Sequence, residues 1–349
     1  MFRLIISKLL RKSNRLVVNS SKLFNDKSSK IIVHKGHKTL VTVISESLNP
    51  SKLGTLKTLL AINILSWLGF NDDDEKKESE LIMILKRAVL STNREEFSKA
   101  EKLLHLALRI AQQQQHEQGI TYCYDLMANL AFNQLELDKA RKLFVSVQQR
   151  LLSTGTPEND LKVIHISLKL SRICHLQAEN ETADIGYNWC LEKIKSTNNN
   201  DIDTMMLNGV IHDWYAQFLL DTENVAKSLI HLNQAYNICK QVKGDNSEQT
   251  MLLLNDLATT YWRMDDLNNA LSCLSEASSI GSKLEDQSHV GVINANLGLL
   301  HLQKGMIDEA KKCCEAALYI GNQYQNEESI SQAKYCFDQI KMNFATSTT

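Results

Sequence analysis

Residues 119–149 read GITYCYDLMANLAFNQLELDKARKLFVSVQQ, and their spacing decides the fold. Tyr124, Met127 and Ala131 recur at i, i+3 and i+7, one face of a helix. After the polar stretch 134–138, Phe144 and Val147 supply a second apolar stripe. So short a connection makes the two helices antiparallel neighbours. Ala128 and Ala140 sit where the pair would touch, because a long side chain there would force the backbones apart.

The same pattern extends in both directions. A small residue is followed twelve positions later by a second and seven positions later by a third: Ala88, Ala100, Ala107; Ala128, Ala140, Val147; Ser171, Ala183, Cys190; Ala216, Ser228, Ala235; Ala258, Ala270, Ala277; Gly298, Ala310, Ala317. The middle residues lie 40, 43, 45, 42 and 40 apart, so the period is close to 42. A period of that size marks a stack of helical hairpins, each burying its apolar face on its neighbours. The fifth unit repeats the stripes of the second with Leu254, Leu257, Tyr261 and Leu274. The expected fold is all-α: a right-handed α-solenoid of about six tetratricopeptide-like hairpins over 79–325, closed by a C-terminal cap and tail at 326–349.

Composition agrees. Hydrophobic residues make up 43% of the 349, enough for a sizeable core, and two prolines leave long helices uninterrupted. A formal net charge of −1 supplies no electrostatic drive towards nucleic acid, and no nucleic-acid partner is expected. The eight cysteines form no CxxC pair and read as small core residues of a reducing compartment. Neither a phosphate-binding loop nor a catalytic or metal-ligand motif occurs in the sequence. No catalysis, cofactor, metal or small-molecule substrate is expected.

The first 25 residues carry Arg3, Lys8, Arg11, Lys12, Arg15 and Lys22 and no acid, the composition of a mitochondrial presequence, assigned to 1–45. The linker 46–78 contains the apolar run 53–70, LGTLKTLLAINILSWLGF. Eighteen residues at about 1.5 Å each just cross a hydrocarbon core about 30 Å thick, and an in-plane amphipathic anchor fits equally well.

In stacked hairpins the first helix of each pair lines a concave wall, whose side chains can face a partner. One face of those helices offers Asp125, Asn129 and Asn133; Leu168, Arg172 and His175; Asn255, Thr259, Trp262 and Arg263; Ala295, Leu299 and Gln303. The candidate partner-binding set is Asp125, Asn129, Asn133, Arg172, His175, Asn255, Trp262 and Arg263. Amides and Arg can hydrogen-bond an extended peptide, and Trp262 is either an apolar anchor in the groove or a residue packed between hairpins.

The alternation of small and large residues resembles tetratricopeptide repeats, in the extended form found in kinesin light chains. ILKRA, AEKLLHLALRIA, GITYCYDLMANLAF, ISLKLSRI and LLLNDLATTY resemble more narrowly a mitochondrial tetratricopeptide-repeat family that serves respiratory complex III. Ser171 and Ser228 depart from it, standing where alanine or glycine is usual. The resemblance implies a scaffold at the inner mitochondrial membrane that binds complex III subunits, the Rieske protein among them, and helps to clear Rieske fragments. The lack of twin CxnC motifs favours repeats on the matrix side. The alternative function is a cytosolic cargo adaptor of the kinesin-light-chain type, which would need an N-terminal coiled coil, whereas 1–78 holds no sustained heptads.

Overall fold

The computed structural model describes residues 80–197 and 201–347. The presequence-like stretch 1–45 and the apolar run 53–70 lie outside the described residues. Within them the regular structure is thirteen α-helices and no strand. In chain order these are α1 (Glu80–Asn93), α2 (Phe97–Gln113), α3 (Glu117–Asn133), α4 (Leu137–Ser153), α5 (Leu161–Leu176), α6 (Asn180–Lys195), α7 (Ile202–Asp221), α8 (Val225–Lys243), α9 (Glu248–Arg263), α10 (Leu267–Gly281), α11 (Val290–Gln303), α12 (Ile307–Gln323) and α13 (Glu327–Ser347). They fall into two compact units, one ending at Thr197 and the other beginning at Asn198. The first holds the hairpins α1–α2, α3–α4 and α5–α6. The second holds α7–α8, α9–α10 and α11–α12, with α13 against both helices of the last pair.

The small-residue register is realised in full. All six triplets, from Ala88–Ala100–Ala107 to Gly298–Ala310–Ala317, are buried. The two serines that depart from the pattern satisfy their hydroxyls internally. Ser171 Oγ donates to Ser167 O at 2.8 Å, and Ser228 Oγ donates across its hairpin to Ala216 O at 2.8 Å. Ser171 takes its extra room from the facing helix, where a Cβ at Gly186 would collide with it.

Each hairpin turns in the same way. The residue five before the second small position, Glu95, Leu135, Ala178, Glu223, Asp265 or Gly305, has φ between 56° and 77°. The next backbone N–H reaches back over the turn: Glu96 to Ser91 O at 2.9 Å, Glu136 to Ala131 O at 2.9 Å, Glu179 to Cys174 O at 2.8 Å. In the second unit Asn224 donates to Leu219 O at 2.7 Å, Asp266 to Tyr261 O at 3.0 Å and Met306 to His301 O at 2.9 Å. This is a Schellman closure, which satisfies carbonyls that the ending helix leaves free. Only Gly305 has the residue type that adopts the conformation without cost.

Cys123, Cys174, Cys190 and Cys239 are buried and Cys273 and Cys313 half-buried, and Cys314 of α12 lies buried beside Cys336 of α13, with Cα atoms 6.1 Å apart.

Candidate functional site

The first helices of the hairpins carry the candidate residues, and each unit arranges them differently. In the first unit Asp125 and Asn129 lie one turn apart on α3 and are half-buried. The Asn129 amide donates to Asp125 Oδ2 at 3.0 Å and to the Asp125 carbonyl at 2.8 Å. Its oxygen accepts from the Lys169 ammonium on α5, which is 4% exposed. Burial pushes Lys169 down to about 8, against the pull of the Asp125 charge. Burial likewise raises the Asp125 carboxyl, opposed by Lys169 and by the Asn129 amide. One turn before Lys169, His165 is held well below its ordinary value, first by burial and then by the Lys169 charge. It is therefore neutral at physiological pH. Asn133, at the end of α3, is half-buried.

Further along α5, Arg172 and His175 are both buried. The guanidinium lies 3.0 Å from His175 Nδ1, so that nitrogen accepts and the proton sits on Nε2. The His175 ring meets Tyr187 of α6 edge to face. A second polar knot joins α4 to the α5–α6 turn. Arg141 donates to both Glu179 oxygens, at 3.2 and 3.3 Å, and to the Gln177 side-chain amide oxygen. Gln177 in turn donates to Asp138 at 2.9 Å. The Arg141 and Glu179 side chains are 9% and 12% exposed, a nearly dry ion pair.

In the second unit Asn255 is buried and accepts from the Asn296 amide of α11 at 2.9 Å. Trp262 is 5% exposed, and its indole N–H donates to the Gln303 side chain. The ring is packed, so the second of the two readings of Trp262 describes its place in the fold. Arg263 is half-buried and donates to the Leu220 carbonyl at the end of α7, at 3.1 Å. Leu168, Ala295 and Leu299, read from sequence as facing a partner, are core residues instead. Within a unit, successive first helices also meet, as Lys169 with Asn129 and Asn296 with Asn255 show.

Spacing could have exposed most of these pairs. Lys169 follows Asn129 by 40 residues, Asn296 follows Asn255 by 41, and Gln303 follows Trp262 by 41. Polar residues one repeat apart occupy the same place on successive hairpins and so become neighbours. Lys169, Asn296 and Gln303 are the partners that reading each helix alone misses. His212 and His231, with ring nitrogens 2.8 Å apart across the α7–α8 hairpin, were missed as well.

No group of three or more His, Cys, Asp or Glu that could hold a metal ion occurs among the described residues. Burial pushes the Cys123 thiol up to about 12 and raises Cys190 further, so neither is a ready nucleophile. None of the described helices is long and apolar enough to cross a membrane.

Sequence profiles described as tetratricopeptide repeat match residues 207–283 and 293–324. Among solved structures, the crystal structure of BtubC (BKLC) from P. vanneervenii superposes with a TM-score of 0.55 at 15% identity, over 71% of this chain and 94% of that one. The apo form of RapI gives 0.58 at 12% identity, over 98% and 87%. At such identities these likenesses concern the fold alone. The tetratricopeptide repeat protein 19 homolog, mitochondrial, of Drosophila melanogaster is 34% identical over 276 residues, covering 78% of this chain and 75% of the relative. The human tetratricopeptide repeat protein 19, mitochondrial, is 32% identical over 276 residues, covering 75% and 72%. With the helical-hairpin repeat and an identity of this extent together, the chain belongs to the tetratricopeptide repeat protein 19 family.

Proposed function

We propose that the chain is a non-catalytic scaffold of the inner mitochondrial membrane that binds respiratory complex III and preserves its integrity, through turnover and clearance of Rieske iron-sulfur protein fragments. The observation that carries this reading is family membership: relatives named mitochondrial share 276 aligned residues with this chain. The complex III assignment rests on the resemblance of the repeat stretches quoted above. Stacked hairpins suit the task, since they repeat a rigid polar wall at fixed intervals and need no reacting group. In the first unit that wall is Asp125, Asn129 and Asn133, all half-buried; in the second it includes Arg263. The basic stretch 1–45 addresses the chain to mitochondria, the run 53–70 holds it at the inner membrane, and the repeats lie on the matrix side.

The test uses the tagged full chain in mitochondria. Complex III subunits, including the Rieske protein, co-purify with wild type, and Asp125→Ala with Asn133→Ala lowers the yield while the melt is kept. Recovery of no complex III subunit from solubilised mitochondria overturns the assignment. Carbonate extraction with protease protection reads the anchor and the sidedness. Replacing Arg3, Lys8, Arg11, Lys12 and Arg15 by Glu leaves the protein in the cytosol, and import of that variant overturns the presequence.

A further inference from the structure

Helix α1 has two unlike sides. Leu81, Ile82, Ile84, Leu85 and Ala88 are buried in the core shared with α2 and α3. On the opposite side Met83 and Leu90, two turns apart, are 41% and 48% exposed and form the midline of the outer face. Arg87 and Arg94, also two turns apart, run along one flank of that midline, and Lys86 stands on the other; all three are exposed. The Arg94 N–H donates to Leu90 O at 3.1 Å, so the helical turn carries this last arginine. No acid occurs from Leu81 to Arg94, and Glu80 and Glu95 lie beyond the two ends of the stripe.

The outer face of α13 shows what an ordinary solvated face looks like in this protein, since Glu327, Lys334, Asp338 and Lys341 mix both signs on it. On α1 apolar side chains stand between basic ones instead. That is the pattern of a helix lying in the surface of an anionic bilayer, where the apolar midline enters the headgroup boundary and the flanking cations meet lipid phosphates. With 14 residues α1 is too short to cross a hydrocarbon core about 30 Å thick, so such a contact is made side-on.

The chain also brings this face to the lipid. Residues 71–79 separate α1 from the apolar run 53–70 and reach at most about 30 Å even fully extended. With that run at the inner membrane, α1 is the part of the repeat array nearest the bilayer along the chain. The charge of the linker works against contact, because Asp72, Asp73, Asp74, Glu75 and Glu78 outnumber Lys76 and Lys77. Attraction to an anionic surface therefore has to come from the stripe.

We propose that the outer face of α1, with Met83 and Leu90 between Lys86, Arg87 and Arg94, is a docking surface for anionic lipid that lays the first hairpin against the membrane. Resting on the anchor reading of 53–70, this surface adds orientation to distance: the run keeps the chain near the bilayer, and the stripe decides which side of the first hairpin faces it.

The experiment uses the full chain, reconstituted into vesicles of phosphatidylcholine alone or of equal parts phosphatidylcholine and phosphatidylglycerol, and floated to collect the bound protein. Dilute peroxide then converts exposed methionines to sulfoxides, and mass spectrometry times each residue. Met264 and Met306, 46% and 37% exposed in the second unit, serve as internal clocks. Relative to them, Met83 oxidises about fivefold or more slowly on the anionic vesicles than on phosphatidylcholine. Arg87→Glu with Arg94→Glu keeps flotation and the melt and abolishes that difference. A Met83 rate that ignores lipid charge in floated protein, or protection that survives in the double variant, overturns the docking surface and leaves the anchor standing. A chain that floats with neither vesicle overturns both. The lipid comparison is made on the wild-type chain, so it holds even if the double variant folds poorly.

Discussion

The two units share one backbone plan but hold their hairpins together by different chemistry. In the first, charged groups stand at most of the contacts between hairpins: Arg141 pairs with Glu179, Lys139 of α4 with Glu101 of α2 at 2.9 Å, and the Lys169 ammonium donates to Asn129 beside Asp125, while Gln148 donates to Ser167 as a neutral pair. In the second the buried ones are neutral, Asn296 with Asn255 and Trp262 with Gln303, and charged groups such as Arg263 on a main-chain carbonyl, Lys304 on Asn268 and His289 beside Glu248 lie nearer the surface. Fixing the helix geometry by small residues leaves the polar chemistry at the seams free to differ. The first unit should therefore respond to pH and the second to the loss of single packed groups.

The largest effects test that contrast directly. Trp262→Ala removes a buried ring and leaves Gln303 without its donor, and costs about 3–5 kcal/mol in the second unit. Arg141→Ala strands a nearly buried Glu179 and costs a similar amount, about 3–5 kcal/mol, in the first. Exchange-detected melts of both variants check the pair, and loss of protection in the wrong unit breaks the two-seam description. Arg141→Met with Glu179→Leu sharpens it: replacing both charges by apolar groups recovers most of the loss.

Next in size is the pH dependence of Lys169. In the unfolded chain this amine holds its proton up to about its ordinary 10.5, and in the fold it releases it near 8. Between those values the unfolded state binds a proton the native state lacks, so stability rises with pH, by on the order of 3 kcal/mol. Lys169→Met removes the rise. Asp125 works in the opposite sense, because its raised value makes the fold lose stability as pH climbs through the carboxylate range. Trp262–Gln303 and Asn255–Asn296 do not titrate, so protection of the second unit stays flat across both windows at those seams. A parallel response of the two units to pH would break the contrast.

Overpacking should show what the units share. Ala140→Leu and Ala270→Leu each force apart a hairpin at a fully buried alanine, at about 1–3 kcal/mol, while Lys142→Gln on the exposed surface is nearly neutral. Thermal melts separate the two classes, and equal melts would refute the register. The smallest effect lies in the turns. Ala178→Gly in the first unit and Glu223→Gly in the second relieve left-handed strain at exposed positions and gain up to about 1 kcal/mol each. Chemical denaturation detects that shift.

Much of the fold was legible in the sequence because burial leaves a periodic mark. The twelve-then-seven spacing placed every small residue in the core, including Ser171 and Ser228, whose hydroxyls the backbone absorbs. The turn conformation left no mark at Glu95, Leu135, Ala178, Glu223 or Asp265, since the Schellman bonds are made by the main chain and outweigh side-chain preference. The wall was half legible. Reading one helix face found Asp125, Asn129 and Asn255, but could not separate a residue facing outward from Leu168, which is fully buried, or from Trp262, which meets Gln303 of the neighbouring hairpin.

The uniform turn gives this chain a built-in spectroscopic ruler. Glu95, Leu135, Ala178, Glu223, Asp265 and Gly305 are all exposed and all present the same backbone conformation once per hairpin. A label attached at any of them leaves its helix with the same tether and the same local freedom. Spin-label distances between Glu95, Leu135 and Ala178, or between Glu223, Asp265 and Gly305, can then be compared without correcting for linker geometry.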